Sequence, residues 1–250
     1  MKFIHLDSIS GPTPLKQLSS EQLMEVQRGL KLLGYPVGDI DGLIGPKTRN
    51  AWAEFKADIY PGNPKLIGRE SIAVLRQKIS AVDTLDPGKE FDFSTTDGTL
   101  TAIMEECRAF GLELNTQVAY VLATTQWETN QTFKPVREAY WMDEGWRREH
   151  FTYYPYYGRG YVQLTWKKNY ERYTEILEVD MVNEPDRAMD PRIALFVLVH
   201  GFKTGTFTGR KITDYINEVT TDFIRARRCI NGTDRAHEIA EIAEKFLAQL

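Results

Sequence analysis

The stretch that decides the fold of most of the chain is YYGRGYVQLTW, residues 156–166. Apolar side chains at 162, 164 and 166 alternate with Gln163 and Thr165, which predicts a strand edge or an extended segment with two unlike faces. One face suits a hydrophobic core. The other carries amide and hydroxyl groups among aromatic rings, and this combination suits a carbohydrate, whose hydroxyl groups need hydrogen bonds and whose C–H faces stack on rings.

A candidate catalytic carboxylate precedes this segment. Asn115 is predicted to cap a helix that ends at Glu128, directly after Trp127. The negative end of the helix dipole and the adjoining indole both disfavour a charged carboxylate. The pattern therefore predicts a carboxyl group that retains its proton, which is what a general acid requires.

Glu138 offers a second carboxylate, beyond the turn at Pro135. Its neighbour Arg137, or solvent, is expected to keep it ionised. Two carboxylates in unlike environments are the requirement for glycoside hydrolysis. The chain has 35 acidic residues, and such residues are mostly on the surface, so the pair gains its significance from the nearby segment 156–166.

Other chemistries have less support in the sequence. The four histidines show no HExxH spacing, the two cysteines form no CxxC pair, and no GxSxG elbow is present. Gly158-Arg159-Gly160 is not a dinucleotide loop, because Gln163 stands in place of the third glycine. We therefore expect no metal and no cofactor, and we expect Cys107 and Cys229 to pack as reduced, small hydrophobic residues.

The composition sets further bounds on the 250-residue chain. Hydrophobic residues make up 42% and charged residues 26%, as in soluble globular proteins. A formal net charge of -4 disfavours a nucleic-acid partner. Neither a secretion signal nor an apolar run of roughly 18 residues is evident. We expect a monomer without stable membrane insertion.

Residues 1–85 are predicted to form a separate domain of three packed helices, followed by a second domain over residues 86–250. Ser19 and Ser20 can cap a first helix over residues 21–33, which Gly34 ends. Pro46 opens the second helix after a glycine-rich turn, and the third helix covers residues 69–79.

This first domain resembles the small peptidoglycan-binding domain found beside many cell-wall hydrolases. The residues that carry the resemblance are Gln27, Leu30, Leu33-Gly34-Tyr35, Asp41-Gly42, Gly45, Thr48, Ala51 and Phe55. Several of these are turn residues, which packing alone would not dictate. The resemblance implies binding to bacterial peptidoglycan.

The second domain resembles glycoside hydrolase family 19, the chitinase-like fold used by many phage lysozymes. The resemblance rests on Glu128-Thr129, Phe133, Tyr156-Tyr157-Gly158-Arg159-Gly160, Gln163-Leu164-Thr165, Asn169-Tyr170 and Ile230-Asn231-Gly232. It implies a helical lysozyme-like domain with a small β element, with Glu128 as general acid and Glu138 as general base. It also implies that Thr165 helps to hold the attacking water. The substrate-binding residues that it implies are Tyr157, Arg159, Gln163, Asn169 and Asn231.

The chain departs from this family pattern beside the catalytic acid. Trp127 stands where family members often have His, and Asn130-Gln131 stand where they often have Gly-Gly. Glu144 and Glu149 lie close enough to Glu138 in sequence to be alternative bases.

Together these resemblances predict a mainly α protein that resembles a phage endolysin. It would hydrolyse the β-1,4 bonds of peptidoglycan with inversion, and a separate pore would release it from the host cytoplasm to the cell wall. A chitinase, a peptide-cleaving wall hydrolase and a non-catalytic wall-binding protein are the alternatives.

Overall fold

The computed structural model describes residues 3–59 and 62–250. The chain divides into two compact units. The first runs to Asp86 and also includes Glu175–Leu177, and the second holds the other residues from Pro87 onward.

The described part of the chain is mainly helical, which confirms the predicted fold class. Its α-helices are α1 Ser20–Leu32, α2 Pro46–Asp58, α3 Arg69–Val82, α4 Thr96–Ala109, α5 Asn115–Glu128, α6 Glu144–His150, α7 Lys167–Leu177, α8 Pro191–Thr204, α9 Phe223–Ala226 and α10 Ala236–Leu247. Two short antiparallel pairs supply the β structure: β1 Thr13–Pro14 with β2 Leu66–Ile67, and β3 Val136–Arg137 with β4 Arg159–Gly160.

The first unit packs α1, α2 and α3 around a common core. Helix α1 begins with a capping box, in which Ser19 accepts from the Gln22 N–H and the Gln22 side chain accepts from the Ser19 N–H. Gly34 follows this helix at φ +90°, a left-handed conformation that glycine adopts freely. The core is formed by Leu23, Val26, Leu30, Ala51, Trp52, Phe55, Ile72, Leu75 and Ile79.

Gln27 explains the turn residues of this unit. Its side chain is buried in α1 and donates to the Asp41 Oδ1 at 2.8 Å, while its Oε1 accepts from the Gly42 N–H at 2.8 Å. Its Nε2 also lies 3.2 Å from the Thr48 hydroxyl. Hydrogen bonding inside the unit therefore gives Gln27, Asp41, Gly42 and Thr48 a role in the fold that apolar packing alone does not supply.

Helix α5 is the centre of the second unit. Every residue from 117 to 125 is buried, and the helix contacts α4, α8 and α10. A helix that is apolar on all sides must be surrounded by others. Asn115 is its first residue rather than its cap, because Leu114 occupies the capping position. Glu128 is its last residue, as the sequence predicted.

Segment 156–166 is a turn rather than an extended strand. Only Arg159 and Gly160 pair as a strand, and the chain then folds back so that Leu164 bridges to Arg159. Positive φ angles at Gly160 and Gln163 permit this reversal. Leu164 is buried as predicted, but Trp166 is 57% exposed, so it does not belong to a core face.

Both cysteines are buried in the second unit. Burial raises the pKa of the Cys229 thiol to about 12 and also raises that of Cys107. Within residues 3–59 and 62–250, no helix is long and apolar enough to cross a membrane. The same residues contain no cluster of three or more His, Cys, Asp or Glu side chains suited to a metal ion.

The close contact between α8 and the loop that follows it makes Gly201 sensitive to substitution. A Cβ at Gly201 would overlap the ring of Phe207. Gly201→Ala should therefore lower the free energy of unfolding by about 1–3 kcal/mol, although alanine is the better helix former. Chemical unfolding followed by circular dichroism measures this change. Gly232→Ala is the control, since no atom lies within 4 Å of its new Cβ, and an increase in stability on Gly201→Ala would contradict the packing described.

Candidate active site

Glu128 is held at the end of α5 by a buried cation. Its Oε1 accepts a hydrogen bond from Arg227 Nη1 at 2.6 Å, and the side chains of Arg227 and Glu128 are only 4% and 16% exposed. Arg227 also donates through Nε to the Asp234 carbonyl at 3.0 Å. The helix end and Trp127 are the neighbours of Glu128 that the sequence indicated. Nothing in the sequence signalled Arg227, which lies 99 positions away and adds a positive charge.

Glu138 follows β3 and is fixed by two hydrogen-bond donors. Its Oε2 accepts from the Gly158 N–H and its Oε1 accepts from the Tyr153 hydroxyl, each at 2.8 Å. Desolvation, reinforced by the hydrogen bond to Glu138, raises the pKa of Tyr153 to about 12, so this phenol remains a donor at neutral pH. The Glu138 N–H in turn donates to the Gly158 carbonyl at 2.8 Å. Backbone and side chain of Glu138 are thus both attached to Gly158.

Arg137 does not pair with Glu138, contrary to one of the predicted possibilities. Its Nη2 contacts Asp186 at 2.9 Å, and its Nη1 donates to the Tyr157 hydroxyl at 3.3 Å. Desolvation opposes ionisation of Asp186, but Arg137 and Arg159 outweigh it and lower the pKa of that carboxyl. The groups that hydrogen-bond to the Glu138 carboxylate are therefore neutral donors, the Tyr153 hydroxyl and the Gly158 N–H, and not Arg137.

Arg147 fixes the backbone on both sides of Ala139. Its Nε donates to the Glu138 carbonyl at 3.0 Å and its Nη2 donates to the Ala139 carbonyl at 2.8 Å. Ala139 has φ +47°, an unfavourable conformation for a residue with a Cβ. The planar guanidinium therefore bridges two carbonyls across a strained residue, directly beside a candidate catalytic carboxylate.

Of the two alternative bases, Glu144 already accepts hydrogen bonds from other side chains. Its Oε1 accepts from the Tyr157 hydroxyl at 2.6 Å and from Arg147 at 3.0 Å. Glu149 is exposed on α6. Glu138 therefore stays the preferred candidate, because its donors are neutral and a carboxylate has about four acceptor sites, of which they occupy two.

Tyr157 and Arg159 do not have the accessible surface that sugar binding requires. Tyr157 is fully buried, and Arg159 stacks on its ring at 3.6 Å. Arg159 is 3% exposed and donates to Asp186 and to the Tyr170 hydroxyl. Their burial favours a role for both residues in positioning the chain around Gly158 over the predicted direct contact with sugar.

Gln163, Thr165 and Asn169 form a half-buried series of hydrogen bonds beside Gly158. The Thr165 hydroxyl donates to the Gln163 carbonyl at 2.7 Å, and the Asn169 amide donates to the Thr165 carbonyl at 2.8 Å. A Cβ at Gly158 would lie 2.5 Å from Gln163 Oε1, so only glycine permits this approach. The series is therefore adjacent to the Gly158 N–H that holds Glu138.

Asn231 lies on the Glu128 side of the site. Its side chain is exposed, and its N–H donates to the Arg227 carbonyl at 3.0 Å. The predicted residues thus fall into two groups. One group, Glu128 and Asn231, is bonded to Arg227, and the other is arranged around Gly158 and the hydrogen bonds that follow it in the chain.

Asn130 and Gln131 keep a glycine-like backbone in the turn after Glu128. Their φ angles are +50° and +67°, in the left-handed region that glycine adopts without strain. Asn130 and Gln131, which stand where Gly-Gly was expected, therefore add two side chains to the turn and still adopt a left-handed backbone. Both side chains are exposed.

A cavity of about 360 Å³ opens between this turn and β3. It is lined by Thr129, Asn130, Thr132, Pro135, Val136, Arg137, Tyr140 and Met189. Exposed aromatic rings accompany it in the loop after Glu138: Tyr140 is 62% and Trp141 is 69% exposed, and they pack edge to face at 5.1 Å. Trp166 packs against Tyr153 at 4.9 Å. Exposed rings beside polar groups can stack on sugars.

The role of Arg147 is open to a direct test. In Arg147→Lys a single ammonium replaces the planar fork and cannot bridge both carbonyls in the same way. We expect amide hydrogen exchange in residues 138–142 to become at least about 10-fold faster, because hydrogen bonds to a charged donor are lost. Exchange measured by mass spectrometry reports this change.

Arg148→Lys is the matched control for this experiment. Arg148 is the exposed neighbour of Arg147 and stacks on Tyr154 at 5.4 Å. Its substitution should leave exchange in residues 138–142 unchanged. Equal protection in the Arg147→Lys and wild-type chains would show that Arg147 does not fix this backbone.

Comparison with known proteins leaves the function to be inferred from these residues. No protein-family model matches the chain, and no curated protein matches it. A solved structure of chitinase C from Streptomyces griseus matches with a TM-score of 0.45 and 20% sequence identity, over 68% of this chain and 73% of that chain.

Proposed function

We propose that the protein is a glycoside hydrolase that cleaves the β-1,4 bonds of bacterial peptidoglycan, in the manner of a phage endolysin. The observation that carries the proposal is a pair of carboxylates with unlike partners: a buried guanidinium holds Glu128, whereas a phenol and a backbone N–H hold Glu138. Glycoside hydrolysis requires two carboxyl groups with different tasks, and different surroundings are how proteins assign them.

Glu128 is the general acid in this proposal. It donates its proton to the glycosidic oxygen as the bond breaks, and its carboxylate becomes negatively charged in the same step. Arg227, 2.6 Å away, stabilises that charge as it develops. The position of Glu128 at the end of the buried helix α5 keeps its carboxyl group fixed relative to the substrate.

Glu138 is the general base. The Tyr153 hydroxyl and the Gly158 N–H orient its carboxylate, and its free acceptor capacity takes a proton from water. Attack by that water on the face opposite the leaving group inverts the anomeric centre. Thr165 assists in holding the water, and Gln163, Asn169 and Asn231 supply hydrogen bonds to the sugars.

The first unit is proposed to bind the wall polymer. Its support is the resemblance described above, together with a cavity of about 400 Å³ bordered by Pro12, Lys56 and the start of α3. A tethered binding unit raises the local concentration of the enzyme at a polymeric substrate. By the same resemblance, the enzyme accumulates in the host cytoplasm and a separate pore gives it access to the wall.

Substitution of the two carboxylates tests the proposed chemistry. Glu128→Gln and Glu138→Gln should each lower kcat on purified peptidoglycan by about 100- to 10,000-fold, because proton transfer is lost while the side-chain shape is kept. The control Glu149→Gln removes an exposed carboxylate of α6 and should retain activity. Products are reduced with borohydride and identified by mass spectrometry.

Each product has a definite meaning. Reduced muramic acid ends that disappear in Glu128→Gln support a muramidase, and reduced glucosamine ends indicate a glucosaminidase. Cleavage of chitin alone makes the protein a chitinase, the alternative that shares this chemistry. Cleaved stem peptides with intact glycan strands would contradict the proposal.

Removal of residues 1–85 tests the role of the first unit. If this unit concentrates the enzyme on the wall, its loss should reduce activity on intact cell walls by about 100-fold and change activity on short soluble glycans little. Circular dichroism of the shortened chain verifies that the second unit is folded. An equal loss on both substrates would mean that the first unit mainly stabilises the protein.

A further inference from the structure

The cavity beside β3 has a position that bears on substrate choice. One wall begins at Thr129, the residue after Glu128, and another ends at Arg137, the residue before Glu138. The backbone segments that bear the two candidate catalytic carboxylates therefore also form the cavity. A sugar bound near both carboxylates would have a substituent within reach of this space.

The lining combines apolar walls with a guanidinium. Pro135, Val136 and Met189 provide apolar surface, and Arg137 provides N–H donors. A guanidinium has five N–H donors. The Arg137 side chain is 33% exposed. Tyr157, Asp186 and Glu144, the last at 3.6 Å, lie at its two Nη atoms, and its five donors exceed these three partners. The cavity thus suits a group in which methyl groups alternate with carbonyl oxygens.

The volume of the cavity fits a substituent better than a whole ligand. About 360 Å³ is near the lower end of the roughly 300–1,000 Å³ of small-molecule sites. Chitin carries no substituent on the 3-oxygen of its sugars. Muramic acid carries a D-lactyl ether there, whose carbonyl is amide-linked to the first alanine of the stem peptide, so it presents two methyl groups and two carbonyl oxygens.

We propose that this cavity is the subsite for the D-lactyl-L-alanyl arm of a muramoyl residue bound beside the scissile bond. The methyl groups of the arm contact Pro135, Val136 and Met189, and Arg137 donates to a carbonyl oxygen. This inference rests on the proposed function and extends it, because the cavity selects peptidoglycan over chitin.

Ligand binding to the full-length protein tests the subsite without reference to catalysis. The probe is muramyl dipeptide, N-acetylmuramoyl-L-alanyl-D-isoglutamine, and the reference ligand is N-acetylglucosamine. Muramyl dipeptide should shift the ¹³C-methyl NMR signal of Met189, one of six methionines, and N-acetylglucosamine should not. Met189→Leu identifies the signal. An unchanged Met189 signal in saturating muramyl dipeptide would overturn the proposal.

A variant that fills the cavity tests whether the cavity determines substrate specificity. Val136→Phe should lower kcat/KM on peptide-bearing glycan by about 10-fold or more, and it should lower kcat/KM on N-acetylglucosamine oligomers by a much smaller factor. Val219→Phe adds the same ring at a site that is 93% exposed and serves as the control. Equal losses on both substrates, or no loss on either, would overturn the subsite.

These outcomes separate the subsite from the proposed function. If the wild type releases no reducing sugar from any glycan, the proposed function fails, and the Met189 signal still decides whether the cavity binds the muramoyl arm. If the wild type cleaves glycan and the Met189 signal does not respond, the proposed glycoside hydrolase function is retained and the proposed subsite is wrong.

Discussion

The contact between Glu128 and Arg227 is the interaction on which the site depends. Arg227 is 4% exposed, and a buried charge without a hydrogen-bond partner costs several kcal/mol. The pair joins the end of α5 to the segment that continues to Asn231. Residues 117–125 of α5 are all buried, so the helix that ends at Glu128 is held by its surroundings. The same contact that stabilises the fold therefore places a positive charge beside the proposed general acid.

The Glu138 side of the site is constrained by backbone geometry instead. Pairing of β3 with β4 brings Gly158 to Glu138, and Gly158 holds both the backbone and the carboxylate of that residue. Arg147 then fixes the left-handed Ala139 that follows. The buried ring of Tyr157 contacts the guanidinium groups of both Arg147 and Arg159 and supports this arrangement from the interior. The unlike surroundings of the two carboxylates thus have separate structural origins.

Local signals in the sequence predicted the helices well and the long-range contacts poorly. Ser19, Gly34 and Pro46 mark helix ends through their own backbone and side-chain chemistry, so α1 and α2 begin close to where the sequence indicated. Arg227 carries no comparable signal, because its role depends on a partner 99 positions away. Segment 156–166 was misjudged because alternation of apolar residues does not reveal that Gln163 adopts φ +55°.

The central claim is that Glu128 and Glu138 act from opposite faces of a glycosidic bond, as acid and base. In an enzyme of this kind the carboxyl groups are about 6.5–9.5 Å apart, and the product has the opposite anomeric configuration. The most direct test follows the first product from a soluble peptidoglycan fragment by ¹H NMR. If Glu128 and Glu138 act as acid and base, the α-anomer appears first, before mutarotation. Initial release of the β-anomer would contradict it, because retention requires a nucleophile rather than a base.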